Sequence, residues 1–309
     1  MKDKVDLSVN LGSLHLKNPV MPASGTFDIR DTLLNKRELN SLGAIITKSI
    51  ASRRREGNPG PRVWETDGGM INAVGVPGEG FEYFKEHILP LLEEANDTII
   101  VSMVGDSIVD FCALAKKLDN FEKISALEIN LSCPNLNNGL YFGVNKDVLG
   151  DLIYQLKKST RKIIIAKLSP NVTDITEMAL TAQEAGADIL TIANTFLGMA
   201  IDTEKQIPKL GNKVGGLSGP AIRPIIVRMI WETSQKVKIP LIGVGGITCA
   251  QDALEMFLAG ASAVQIGCAN FSNPYVMLEV IRGIKGYLLR KKYSSLLEII
   301  GLVHKKIIF

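Results

Sequence analysis

A single α/β domain, a (β/α)8 TIM barrel preceded by a short N-terminal β-hairpin, is what this sequence predicts over residues 1–309. Three observations predict it. Eight short runs rich in Val, Ile and Leu are separated, in seven cases, by helical segments, the pattern of parallel strands buried on both faces. Several of these runs end in polar residues or glycine, as strands do when one rim of a barrel carries a site. The chain length suits one barrel, and no shift in composition marks a second domain.

Residues 5–16 alternate apolar and polar side chains around Asn10-Leu-Gly-Ser13, which predicts the hairpin. The first strand covers 19–25 and ends in Ser24-Gly25. A helix over 33–42 leads to a strand over 44–49, ending in Lys48-Ser49. A long loop rich in Gly, Pro and Arg follows, through Asn58-Pro-Gly-Pro61 to Asn72-Ala-Val-Gly-Val-Pro77. Loops of this length in a compact domain are usually functional. Helices over 81–94, 107–118 and 146–158 precede strands over 98–102, 126–130 and 162–168. In the last of these helices Val148, Leu149, Leu152, Ile153 and Leu156 share one face. Helix 174–185 is stopped by Gly186 before a strand over 188–193. A second long loop covers 195–219. Helix 221–237 precedes strand 240–246, and helix 250–259 ends at Gly260 before strand 263–267. The Ala-Gly-Ala joints at 185–187 and 259–261 are similar helix-to-strand turns. Amphipathic helices close the chain.

Composition removes several functions. A net charge of +3 with no basic stripe gives no case for nucleic acid, and Arg53-Arg54-Arg55 reads as a solvated loop. The start carries no apolar signal region and no run is long enough to span a membrane, so a cytoplasmic chain with no membrane partner is expected. Four cysteines without paired spacing make neither a disulfide framework nor a zinc or iron–sulfur site. Three histidines, His15, His87 and His304, lie in unrelated segments, so no metal is expected.

The strand over 126–130 runs into Ser132, Cys133, Pro134 and Asn135. Proline ends the ladder, which sets the cysteine at the carboxyl end of the strand. The barrel brings the other strand ends to the same rim: Ser24, Lys48, Ser102, Lys167, Asn194, Gly245-Gly246 and Gly267. Lys48 and Lys167 at buried strand ends are costly unless they meet a partner, either a ligand or a nearby carboxylate. Gly243-Val-Gly-Gly246 and Ile266-Gly267-Cys268 follow strands seven and eight, where many barrels bind phosphate. Asn72, Asn130, Asn135 and Asn194 offer donors and acceptors to a small planar ligand with amide edges, such as a pyrimidine or an isoalloxazine. Cys133 has three readings: a packed thiol, a nucleophile or a general base, with the last two favoured beside Lys and Asn groups. Cys112 reads as core, and Cys249 stands near a helix start. Gly243-Val-Gly-Gly-Ile-Thr248 fails the dinucleotide fingerprint at its last position, so if nicotinamide is used at all, another subunit should bind it.

Glu128-Ile-Asn-Leu-Ser-Cys-Pro-Asn135, Ala166-Lys-Leu-Ser-Pro-Asn171, Asn194-Thr-Phe-Leu-Gly-Met199, Gly215-Gly-Leu-Ser-Gly-Pro-Ala221 and Gly243-Val-Gly-Gly-Ile247 together resemble the dihydroorotate dehydrogenases over nearly the whole chain. The resemblance is greatest to the NAD-linked catalytic subunits, class 1B; the membrane-bound class carries a serine as base. It implies FMN-dependent oxidation of (S)-dihydroorotate to orotate in de novo pyrimidine biosynthesis. Cys133 is then the catalytic base at substrate C5, while hydride leaves C6 for flavin N5. Lys48, Asn72, Ala73, Val74, Gly75, Val76, Asn130, Asn194 and Thr195 are the implied substrate residues, with Lys48 on the carboxylate. Ser24, Lys48, Ser49, Ser102, Asn130, Lys167, Ala193, Gly219, Gly245, Gly246, Gly267 and Cys268 are the implied FMN residues, Lys167 near the flavin pyrimidine edge. Residues 134–143 are the implied lid. The class also implies a partner electron-transfer subunit with FAD and a 2Fe-2S cluster, around a homodimer core of this chain in a heterotetramer.

Two positions depart from the family pattern. Ser102 stands where an Asn commonly reaches the flavin, and Cys268 where a Thr hydroxyl commonly meets the phosphate. Each change weakens one hydrogen bond, about 0.5–1.5 kcal/mol. Alternatives to the NAD-linked reading are the fumarate-linked class 1A enzymes, a dihydropyrimidine dehydrogenase, a flavin-free barrel isomerase acting on a phosphorylated substrate, and a non-catalytic barrel. Lys48 separates a dihydroorotate dehydrogenase from a dihydropyrimidine dehydrogenase, because a substrate with a carboxylate needs a cation and a plain pyrimidine does not.

Overall fold

The computed structural model describes residues 5–131 and 139–306. Runs of β-branched and aliphatic side chains form eight parallel strands: Val20–Pro22, Ile45–Ile46, Ile99–Met103, Ile124–Asn130, Ile163–Lys167, Ile189–Ile192, Leu241–Val244 and Ala263–Ile266. From the second to the eighth, each pairs with the next in sequence, and the eighth pairs with the first, Val264 opposite Val20. The Gly43 N–H donates to Val20 O at 2.9 Å, which brings the entry of the second strand against the first and nearly closes the barrel. A Cβ on Gly43 would lie 2.1 Å from Asn18 O, so the close approach requires glycine. Strands three, six, seven and eight are buried along their whole length, as expected for parallel strands covered on both faces.

Helices form the outer layer, and local chemistry sets their ends. The Ser107, Asn145 and Asp174 side chains cap Ile108–Asp119, Lys146–Ser159 and Ile175–Glu184 by accepting first-turn N–H groups. Gly186 and Gly260 have φ of +104° and +122°. After each of these helices the same pair of backbone bonds forms: Gly186 N–H to Gln183 O with Ala187 N–H to Ala182 O, then Gly260 N–H to Phe257 O with Ala261 N–H to Met256 O. The two Ala-Gly-Ala joints are thus equivalent turns. The N-terminal hairpin pairs Val9–Leu11 with Leu14–Leu16 and packs its buried Leu11 and Leu16 into the main core.

Three regions differ from the sequence reading. The helix expected over 81–94 is α-helical at Phe81–Tyr83, widens to a π-helix at Phe84–Ile88, then resumes at Leu89–Ala95. Pro90 at the start of the resumed helix has no N–H to donate, which explains the broken ladder. The helix expected over 221–237 opens as a 3-10 turn at Pro220–Ile222 and runs on as Arg223–Ser234. The two long loops are not structureless. They supply a four-stranded antiparallel sheet in the order Phe196–Gly198, Gly215–Ser218, Gly69–Asn72 and Val63–Thr66, with a hairpin of Ile201–Asp202 and Ile207–Pro208 beside it. Strands of two to four residues carry no readable alternation, and the pairing that joins the two loops, Gly216 opposite Asn72, spans 144 residues.

Candidate active site

A cavity of about 330 Å³ lies where the carboxyl ends of the barrel strands meet the small antiparallel sheet. Volumes of this order suit a small organic ligand or cofactor. The barrel supplies Ser24, Lys48, Ser49, Asn130, Lys167, Ala193, Asn194, Thr195, Gly245, Gly246, Gly267 and Cys268 to its wall. The long loops add Asn72, Val74, Gly75, Val76 and Gly219. Most of the site residues expected from sequence therefore converge on one space.

Two do not reach it. Ala73 is fully buried with Ile71 and Leu210 in a small core of its own. Ser102 is fully buried and meets Ser49 Oγ at 2.8 Å, so it acts on the cavity only through Ser49. The segment 132–138, with Ser132, Cys133, Asn135 and half of the expected lid, lies outside the described residues.

The amides are oriented by one another. Asn130 Nδ2 donates to Ser49 Oγ at 3.1 Å, and Asn130 Oδ1 accepts from Asn194 Nδ2 at 3.0 Å. Each amide atom of Asn130 thus has a defined role. Asn72 Nδ2 donates to Gly216 O at 3.2 Å across the small sheet. That sheet, missed in the sequence, is what carries Asn72 over the barrel mouth.

Both lysines stand beside carboxylates, in opposite settings. Lys48 is not buried: its side chain is 51% exposed and its ammonium donates to Asp28 Oδ2 at 2.9 Å. Arg30 holds the same carboxylate through two bonds of 2.6 and 2.9 Å. The Arg30 guanidinium first, and Lys48 after it, hold the Asp28 carboxyl well below the usual carboxylate range, against the opposing effect of burial. Lys167 is 4% exposed and lies 3.5 Å from Glu128 Oε1, 3.2 Å from Gln265 Oε1 and 3.1 Å from Ser24 Oγ. The sequence reading missed Asp28, Arg30, Glu128 and Gln265. Their signals were an Asp-x-Arg triplet after the first strand and single polar residues inside otherwise apolar strands.

Glycine shapes one side of the cavity. Gly245 and Gly246 have φ of +138° and +73°, and a Cβ on Gly246 would come within 2.8 Å of Gly219 O. Only glycine allows this backbone at strand seven, and main-chain N–H groups brought close to a ligand in this way suit a phosphate. Together with the amides and the buried cation, these features fit a flavin mononucleotide. A second cavity of about 300 Å³ shares Lys48, Ser49, Val76 and Pro77 with the first. Arg53 and Arg55 line it; Arg55 is largely buried against Asp106, so the Arg53–Arg55 run is only partly the solvated loop expected. Cys249 is exposed at the start of helix Ala250–Ala259, and Cys112 packs half-buried against the core. Among the described residues no group of three His, Cys, Asp or Glu side chains could hold a metal ion, and no helix is long and apolar enough to cross a membrane.

Residues 6–288 match the family model described as dihydroorotate dehydrogenase. The chain belongs to the dihydroorotate dehydrogenase family. It is 46% identical over 297 residues to a Bacteroides fragilis protein named dihydroorotate dehydrogenase B (NAD(+)), catalytic subunit, covering 96% of this chain and 98% of that one. Proteins of the same name from Carboxydothermus hydrogenoformans and Geotalea uraniireducens are 46% and 45% identical, covering 97% and 96% of this chain and 98% of each relative. The crystal structure of a dihydroorotate dehydrogenase from Eimeria tenella in complex with ferulenol superposes with a TM-score of 0.79 at 22% identity, covering 98% of this chain and 90% of that one. At that identity the likeness carries the barrel fold alone. For a dihydroorotate dehydrogenase, a cation, three amides and a glycine-rich rim around one cavity form a coherent set of parts.

Proposed function

We propose that this chain is the catalytic subunit of an NAD-linked dihydroorotate dehydrogenase, which oxidises (S)-dihydroorotate to orotate in pyrimidine biosynthesis. The observation that carries the reading is the convergence of Lys48, Asn72, Asn130, Asn194 and Lys167 on one cavity in a chain of this family. Relatives at 45–46% identity named for NAD(+) favour that acceptor over fumarate.

FMN in this cavity supplies a two-electron acceptor. Gly245, Gly246 and Gly267 would hold its phosphate with main-chain N–H groups, and Lys167 would oppose negative charge at its pyrimidine edge. Lys48 would meet the substrate carboxylate, a charge-assisted contact that a plain pyrimidine could not make. Asn72, Asn130 and Asn194 would take the amide edges of the substrate ring. Cys133 would remove the proton from C5. Its assignment rests on its position in the sequence, three residues beyond Asn130.

The partner is an electron-transfer subunit with FAD and a 2Fe-2S cluster, and two copies of this chain would form the core of a heterotetramer. Leu197, Met199, Ile201, Ile207 and Val214, each at least 40% exposed on the small sheet and its flanking hairpin, support a face for a second copy. The first test is an anaerobic visible spectrum of the purified chain before and after dihydroorotate. A flavin spectrum that bleaches is expected. A flavin that dihydroorotate leaves oxidised in the co-expressed complex would overturn the substrate, and a protein that binds no FMN would overturn the cofactor as well.

A further inference from the structure

Beneath the cavity floor lies a buried polar network with no place in the steps above. Glu128, Thr191 and Gln265 are fully buried on barrel strands four, six and eight. The amide of Gln265 is a bridge. Its Oε1 accepts from Lys167 Nζ at 3.2 Å and its Nε2 donates to Glu128 Oε2. Thr191 Oγ1 donates to the same carboxylate oxygen at 3.2 Å, and Glu128 Oε1 faces Lys167 Nζ at 3.5 Å. Ser24 Oγ is a third acceptor for Lys167, at 3.1 Å. The three N–H groups of the ammonium thus have three acceptors on three different strands or strand ends.

Stability alone does not account for this arrangement. Barrel interiors are filled by Val, Ile and Leu, and replacing a buried ion pair with apolar side chains of similar volume is often neutral or stabilising. The network instead fixes where a single cation sits and how much of its charge the cavity feels. Lys167 lines the cavity, while Glu128 lies two residues down the same face of its strand from Asn130, which also lines it.

We propose that Glu128 is a positioning residue for the redox step: through Gln265 it anchors the Lys167 ammonium at the cavity floor, and its own charge offsets part of that cation. The proposal rests on the FMN reading above. Electrons arriving at a group in the cavity are stabilised by the net positive charge beneath it. Glu128 therefore lowers the potential of the bound flavin relative to an uncompensated lysine.

The test is spectroelectrochemical titration of the flavin in the complex with its partner, for the wild type, Glu128→Asp and Glu128→Gln. The flavin midpoint is expected to shift to more positive values in Glu128→Gln. Glu128→Asp keeps the charge but draws it back from Lys167, so it should lie between the two. Should Glu128→Gln not accumulate as folded protein, the Asp variant decides the matter alone. An unchanged or more negative midpoint in either variant overturns the proposal, even where thermal stability falls, because a purely structural role would move stability and not the potential. The KM for dihydroorotate is a second readout and should stay within about twofold, since Lys48 and the amides are untouched. A wild type without flavin would overturn the cofactor reading and this proposal together. Flavin that bleaches with substrate but ignores Glu128 overturns this proposal only.

Discussion

Lys48 and Lys167 occupy matching places at the ends of barrel strands, and their surroundings are opposites. Lys48 is half-exposed and shares Asp28 with Arg30; Lys167 is nearly sealed and shares Gln265 with Glu128. A cation in water holds its partner loosely and can exchange it for a substrate carboxylate at little cost. A cation sealed in the core has only the acceptors the fold gives it, and exchange would strand a buried charge. The first setting suits a group that must bind and release a substrate. The second suits a group that must present constant charge to a resident cofactor.

The largest effect should come from cutting the sealed pair. Lys167→Met leaves the Glu128 carboxylate buried without its cation, so it should destabilise the protein by about 3–5 kcal/mol in urea unfolding. Replacing Glu128 by Leu in the same chain should recover most of that loss. If the single variant unfolds like the wild type, the two lysines are not different in kind.

Lys48→Ala should show the reverse balance. Its stability cost should stay below about 1 kcal/mol, because Lys48 is half-exposed and the largely buried Asp28 keeps its two bonds to Arg30. Losing a charged hydrogen bond to substrate, about 1.5–3 kcal/mol, should lower kcat/KM for dihydroorotate about 10- to 100-fold, chiefly through KM. A variant that keeps its KM would move the carboxylate contact away from Lys48, and with it the functional half of the comparison.

Much of this was legible in the chain, for identifiable reasons. The barrel order could be read because the buried strands are local runs rich in Ile, Val and Leu, and two of the helices stop at a local glycine, Gly186 and Gly260. Rim residues such as Asn130, Lys167 and Gly245 followed from strand polarity alone. The antiparallel sheet did not, because Gly216 pairs with Asn72 across 144 residues and neither strand has a local pattern. The environment of Lys48 was misread for a related reason. A residue at a strand end can turn inward or outward, and only the placement of Asp28, twenty residues earlier on another strand's loop, decides it. Glu128 was present in the same motif as Asn130 and Cys133, yet its partner Gln265 lies 137 residues away.

The smallest expected effect is also the one that bears most directly on Lys48. Asp28 competes with substrate for its ammonium, so Asp28→Asn should lower the KM for dihydroorotate a few-fold by freeing both Lys48 and Arg30. The folded Asp28 carboxyl is held below its unfolded value, so it contributes stability that is fully present above about pH 4 and is lost as pH falls through the folded value. Between pH 5 and 8 Asp28 therefore stays an anion, and the KM difference between wild type and variant should be flat. The stability difference should likewise hold at pH 7 and shrink as unfolding is measured at progressively lower pH below 4. A KM that rises in Asp28→Asn would mean that Asp28 guides Lys48 toward the substrate instead of competing for it. The open site would then be preorganised by its carboxylate just as the sealed one is, and exposure alone would not separate the two lysines.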